Sequence, residues 1–481
     1  MPQPDSGPSE PAANPAERRL HHPLRTGDLV LAQILCVVGS SWVGVAGSLG
    51  RAQSLTWVAA MLIFYVPMAA SVVCLNRVMP LEGGLYVWAR EAFGDLGGFL
   101  TAWNLWVYGI AVTATILYAI PTELSYLIGP SAAWLPESRL VSLAIVTVLI
   151  AIITVAALRG LELGKWIHNV GGLAMLLAFA ALILLPLWAF AHHARIHYTP
   201  FSIAAPPLDM RTLALFGQML FGALCGLEYI AIMAGESRDP ARSIGRSVIL
   251  SSPFICTMFI LGTASIVALV PRARIDFIAP IPQAMRLTLG ESGIGNLAAI
   301  LVILLLQLRL LGNTSYLFAG ASRLPMTAGW NHLVPAWFTR LHPRYATPTN
   351  SILCCALVAL ALVLLGTAGV HAQEAYQLLS NASLTHYEVA YLAMFAIPLF
   401  GSATLRRSLP AWLRWTSAAG FASTLFSLLI SAYPFVSVVN PRIYAAKILA
   451  TILLSNCAAV GYYFARTRAA GKEKAALKEA A

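Results

Sequence analysis

The chain is expected to fold as an all-α integral membrane protein of about twelve transmembrane helices. Three observations carry that expectation. Hydrophobic residues make up 58% of the 481 residues and charged residues only 11%, with a mean hydropathy of +0.74, whereas a soluble domain carries roughly 25% charged residues. Apolar runs of about 18 to 24 residues recur along nearly the whole length, enough at about 1.5 Å per residue to cross roughly 30 Å of hydrocarbon. The cations between these runs concentrate in alternate loops.

Residues 1–28 are rich in Pro, Ala, Ser and charge, with no apolar core or small-residue cleavage site, and read as a disordered cytoplasmic tail rather than a signal peptide. Spans follow near residues 29–49, 55–75, 97–121, 140–158, 166–190 and 212–234, then 247–270, 294–319, 350–368, 376–400, 412–433 and 442–464, before a short tail at 465–481. With the N-terminus inside, the inner segments collect Arg18, Arg19, Arg25, Arg77, Arg90, Arg159, Lys165, Arg238, Arg242, Arg246 and further Lys and Arg, and the outer segments fewer than half as many. The positive-inside rule therefore places both termini in the cytoplasm of a cell that carries the protein in its plasma or inner membrane. The net charge of +11 follows from this topology. Its cations are dispersed over short loops, not clustered on one face among aromatics, so nucleic acid is not an expected partner. All seven cysteines lie in or at the edge of spans, where Cys acts as a small hydrophobe, and neither a disulfide, a metal nor a cofactor is implied.

Two spans are interrupted. The first contains Gly39-Ser40-Ser41-Trp42-Val43-Gly44, and the sixth Phe221-Gly222-Ala223-Leu224-Cys225-Gly226-Leu227-Glu228. Either alone suits a small-residue packing face. Two in corresponding positions, five spans apart, point to an inverted-repeat transporter in which unwound backbone builds a site near the midplane. After the second span, Pro80-Leu81-Glu82-Gly83-Gly84-Leu85-Tyr86-Val87-Trp88 puts a carboxylate, glycines and aromatics at a membrane mouth. Lipid cannot solvate irregular backbone, so this reads as a re-entrant loop packed in protein, with an interfacial aromatic turn as the plainer alternative. The polar loop Gly235–Arg246, with Pro240 and alternating charges, reads as a gate or hinge.

Together these landmarks resemble the amino acid/polyamine/organocation permease superfamily. The matching pieces are the Pro-x-x-Gly-Gly-x-Tyr-x-Trp turn (Pro80 to Trp88), the Gly-rich first span, Gly226-Leu227-Glu228 in the sixth, Glu236/Pro240/Arg246, and Arg323, Pro335 and Pro348 after the eighth. The resemblance covers residues 27 to 465 and implies a leucine-transporter-type five-plus-five inverted repeat: residues 29–190 mirrored by 212–400, with two trailing spans at 412–464. It also implies that the broken first span holds a substrate carboxylate at Ser40, Ser41 and Gly44. The sixth would hold the ammonium at Gly222, Leu224 and Cys225, with Gly226 in the unwound stretch and Ser315 on the eighth span nearby. Many relatives place a large aromatic gate where this chain has Gly222; here either the gate has shifted to the bulky neighbour Phe221 or the pocket admits a larger side chain.

Ionisable residues inside a membrane are functional candidates by default. Lys165, at the start of the fifth span, matches a lysine that some proton-coupled relatives use in place of sodium; the plainer reading is an interfacial lysine. Glu228 either ties the unwound sixth span together or relays protons. Arg309 must face a cavity or a carboxylate, which leaves a pair with Glu228 or an anionic substrate group. Glu388 lines the pocket or packs in a polar helix seam. With Glu82, the first three of these form the coupling or gating set.

No phosphate-binding Gly-x-x-x-x-Gly-Lys-Ser/Thr loop occurs, and no convergent catalytic set marks an enzyme. The function expected is secondary active transport of amino acids or related amines by alternating access, coupled to protons. An amino acid or amine antiporter, a polyamine transporter and a non-transporting sensor remain as alternatives.

Overall fold

The computed structural model describes residues 25–79, 84–160, 164–228, 240–328, 330 and 333–479, and the regular structure among them is helical. Glu82, the loop residues 235–239 and the side chain of Lys165 lie outside the described residues.

The first pass is split. Helix α1 (Thr26–Val37) opens with the Arg25 backbone N–H donating to Asp28 at 2.9 Å. It stops at Val38, whose backbone is extended, and α2 (Trp42–Gly47) resumes four residues later. Glycine and serine favour non-helical backbone, which explains the break at 39–41. A Cβ on Gly39 would lie 2.5 Å from the Trp42 indole, so the returning chain requires glycine there.

The second pass runs continuously from Gly50 to Val78 through α3 (Gln53–Ala60), a π-turn at Met61–Tyr65 and α4 (Val66–Val78). Pro67 follows directly on the widened turn; its ring cannot accommodate the carbonyl four residues earlier in a regular helix. Helix α5 (Leu85–Ile128) bends at Gly94, where φ is +80°. It continues through Pro121 to Ile128, seven residues beyond the end of the expected third span, and ends at Gly129 (φ +108°). Glu123 therefore lies inside the helix bundle.

Helices α6 (Arg139–Leu158) and α7 (Gly164–Ala191) follow. The sixth pass begins with α8 (Met210–Gly217), capped by Asp209 accepting from the Thr212 N–H at 2.7 Å. It loosens into a π-turn at Gln218–Gly222 and is non-helical by Cys225. Then come α9 (Pro240–Leu269), the short α10 (Pro280–Leu289), α11 (Gly293–Thr327), α12 (Ala336–Thr339), α13 (Thr349–Gly366), α14 (Ala372–Phe400), α15 (Ala403–Ser408), α16 (Leu413–Ile430) and α17 (Pro441–Glu479).

Eight of these helices are long and apolar enough to cross a membrane. The two broken passes, with α14 and α16, bring the total to the expected twelve. Both α14 and α16 bury polar side chains, among them Asn381, Glu388, Ser417 and Ser427, because they face other helices instead of lipid. Their neighbours confirm this: α14 packs on α5 and α16, while α11 packs on α5 and α7 and α1 on α7 and α9. In its most apolar stretch α5 is 78% buried and α17 only 17%. Helices α1, α5, α11 and α14 thus enclose the centre, and α17 lies at the periphery.

Candidate functional site

A cavity of about 110 Å³ opens between the two helix breaks. From the first pass it is lined by Cys36, Ser40, Ser41 and Trp42, and from the sixth by Gly222, Cys225 and Gly226. Helices α5, α11 and α14 close the remaining walls.

A helix that stops inside a bundle leaves carbonyls without partners and a partial negative charge at its end. Here Arg309 of α11 supplies what α1 lacks: its Nη2 donates to Val38 O at 2.9 Å and Leu35 O at 3.4 Å. The guanidinium is 6% exposed and also borders the cavity. Glu123 borders the same space; Gln307 donates to its Oε2 at 2.8 Å, leaving Oε1 without a protein partner among the described residues. No direct ion pair joins Glu123 to Arg309. Among the described residues the one ion pair within 4 Å is Arg90–Glu91, at the surface.

The sixth-pass break is held differently. Gly226 has φ +111°, a left-handed value that favours glycine, and its N–H donates to the Tyr391 hydroxyl at 2.8 Å. The hydroxyls of Tyr391 and Tyr387 both donate to the Glu228 carboxylate. Glu228 thus clamps the unwound segment to α14. The pair with Arg309 that the sequence allowed is not formed, because each charge has found nearer partners.

Trp42 decides the shape of the cavity. A Cβ on Gly222 would lie 2.6 Å from Trp42 Cη2 and 3.0 Å from Leu384 Cδ1, so the indole occupies the volume a side chain at 222 would need. Beside it the Tyr376 hydroxyl donates to Ser41 Oγ at 3.2 Å, and on the opposite wall Tyr108 stacks on Tyr387 with centroids 3.9 Å apart. Gly222→Val is expected to lower uptake more than tenfold, since overpacking a rigid ring costs roughly 1–3 kcal/mol. Adding Trp42→Ala should recover part of it, measured by uptake and thermal melting of both variants.

Of the residues singled out in the sequence, Ser40, Ser41, Gly222, Cys225, Gly226 and Arg309 border the cavity. Gly44, Phe221, Leu224 and Ser315 are not among its lining residues. Gly44 instead permits close packing of α2 on the loop before α10, where a Cβ would sit 2.9 Å from both Asp276 O and Pro280 Cβ. Asp276 braces that loop by accepting from the N–H groups of Ile278 and Ala279 and from the Tyr126 hydroxyl at 3.0 Å. Burial pushes its carboxyl above the ordinary carboxylate range, against the pull of those bonds. Phe221 is fully buried behind the cavity in an aromatic cluster with Phe64, Tyr387 and Tyr391; Leu224 is fully buried and Ser315 half-buried. Lys165 begins α7.

Sequence reasoning missed Glu123, Trp42 and Tyr376. For Glu123 a signal existed: Leu124, Leu127 and Ile128 continue the apolar run past Pro121. For the other two none did, since an aromatic within a span marks packing far more often than a cavity wall.

A sequence profile of the amino acid permease family matches residues 29–457. An uncharacterized transporter of Legionella pneumophila is 26% identical over 377 residues, covering 78% of this chain and 80% of that protein. A putative arginine/ornithine antiporter of Escherichia coli is 24% identical over 312 residues, or 63% of this chain and 65% of the other. A methylthioribose transporter of Bacillus subtilis is 22% identical over 366 residues, or 72% and 76%.

Proposed function

The chain belongs to the amino acid permease family, and on that premise we propose that it carries amino acids or related amines across the cell membrane by alternating access, coupled to protons. It is a multi-span membrane transporter. The observation that carries the reading is a cavity bordered by both helix breaks, which gives a zwitterion access to freed backbone groups of either sign. The substrate carboxylate is assigned to the Ser40–Ser41 break and the ammonium to the carbonyls around Gly222, Leu224 and Cys225. Trp42 serves as the aromatic gate in place of Phe221. Both termini face the cytoplasm, as the distribution of Lys and Arg requires, and residues 29–190 and 212–400 are the two inverted repeats. Lys165, Glu228, Arg309 and Glu82 form the coupling and gating set.

A second reading, exchange instead of symport, is favoured by the name of the Escherichia coli relative, an arginine/ornithine antiporter. The free Oε1 of Glu123 at the cavity wall suits a cationic substrate group.

The test is radiolabelled uptake into proteoliposomes under an imposed pH gradient, with pools of acidic, neutral and basic amino acids and polyamines. Uptake of one pool that rises with inward proton flow and collapses in Lys165→Ala is the expected result. Flux that ignores the gradient and requires internal substrate would establish exchange and remove Lys165 from the mechanism. No flux of any pool would overturn the substrate assignment.

A further inference from the structure

Outside the cavity, the seam where α8 meets α14 and α16 contains a further buried carboxylate. Glu388 of α14 is 2% exposed. Ser427 Oγ of α16 lies 2.5 Å from its Oε1 and 2.9 Å from the carbonyl of Gly217, the last residue of α8 before the π-turn. The helices touch closely there, since a Cβ on Gly217 would meet Ile430 Cγ2 at 2.5 Å. Glu388 Oε2 has no hydrogen-bond partner among the described residues.

A serine hydroxyl has one hydrogen, and a backbone carbonyl can only accept. Were Glu388 ionised, Ser427 would face two acceptors with one hydrogen, and a charge would lie buried with half its oxygens unsolvated. With a proton on Oε1 both contacts become hydrogen bonds: Glu388 donates to Ser427 Oγ, and Ser427 donates to Gly217 O. Other ionisable groups do not alter this count. On the surrounding helices, Tyr108 of α5 stacks on Tyr387, Tyr65 bonds Ser252, Tyr444 of α17 bonds Asn381, and Arg414 of α16 is exposed. Cys225 is the titratable group from the sixth pass that interacts with Glu388. On α14 itself, His386 is turned to Ala382 O and Tyr391 to Glu228.

We propose that Glu388 is a buried proton-binding site whose proton completes a Glu388–Ser427–Gly217 relay holding the first half of the sixth pass against α14 and α16. When the seam opens, the proton passes from Oε1 to water, Ser427 turns its hydrogen to the carboxylate, and Gly217 O loses its bond to α16. Proton binding and seam closure therefore favour each other by linkage. A part for this proton in transport rests on the alternating-access reading; occupancy of the site does not.

The experiment needs no substrate. Purified full-length protein in nanodiscs is titrated with pH while infrared difference spectra follow the carboxylic-acid C=O stretch and hydrogen–deuterium exchange follows residues 210–217. Wild type should show a protonated-carboxyl band that Glu388→Gln lacks. Glutamine keeps a donor for Ser427 at every pH, so wild-type exchange should match Glu388→Gln at low pH and run roughly fivefold faster above the titration, the ratio expected for one net hydrogen bond. Ser427→Ala, which removes the relay but keeps the carboxyl, should be fast at all pH values and provides the comparison should Glu388→Gln not fold. Absence of the band, or wild-type exchange with the same pH profile as the variants, would overturn the proposal.

Discussion

Arg309→Ala should abolish uptake while leaving a protein that inserts, purifies and remains monodisperse. The guanidinium is bonded to two carbonyls at the broken end of α1, and each hydrogen bond to a charged group is worth about 1.5–3 kcal/mol. Losing both frees the end of α1 from α11 and leaves Glu123 on the cavity wall without the opposite charge it faces. A fall in uptake of at least a hundredfold is expected. Arg309→Lys should rescue poorly, because the shorter lysine stem does not carry its nitrogen to where Nη2 sits and a strongly hydrated ammonium is costlier to bury than a guanidinium. Added guanidinium should restore part of the activity of the alanine variant, since it matches the vacated space in shape and charge. Wild-type uptake by Arg309→Ala would show that the α1 carbonyls need no cap and that the guanidinium is incidental to transport.

The second large effect is at Gly226. Replacement with valine is expected to eliminate substrate binding without preventing insertion. The reason is the backbone and not space: the nearest atom to a Cβ there is Cys36 O at 3.5 Å, an ordinary contact, but φ is +111°. A side chain in that region costs roughly 1–3 kcal/mol, and relaxing it would pull the Gly226 N–H from Tyr391 and disturb the clamp on Glu228. Gly226→Ala should therefore lose most of its uptake too, despite its small volume. Equilibrium binding of the transported pool, measured alongside melting temperature, separates lost binding from lost folding. An alanine variant that binds normally would mean the strained conformation is dispensable.

The two helix breaks were legible before any coordinates because their cause is local. Glycine and serine weaken helical backbone wherever they stand, and Gly39-Ser40-Ser41 and Gly222 to Gly226 do so within apolar spans. Glu123 was lost for an equally local reason: the third span was ended at residue 121, whereas the helix runs on through Pro121 and stops at Gly129. The aromatic gate was assigned to Phe221 by adjacency, yet Phe221 turns into the cluster with Phe64 and Tyr391 while Trp42, from the first pass, fills the space over Gly222. Nothing in the local pattern around Trp42 distinguishes it from a packing residue.

By itself the sequence determined the membrane class, the helical passes and the two places where helix gives way, since hydropathy and backbone propensity belong to single residues and short windows. Tertiary structure alone decided the partners of the buried ionisable groups. Arg309 meets a carbonyl 271 residues away, Glu228 is clamped by hydroxyls 159 and 163 residues on, and Glu388 reaches the sixth pass through a serine 39 residues further. A buried charge is stabilised by whichever complementary group the packing brings within about 3 Å, and that choice is made between helices, where no window of sequence records it.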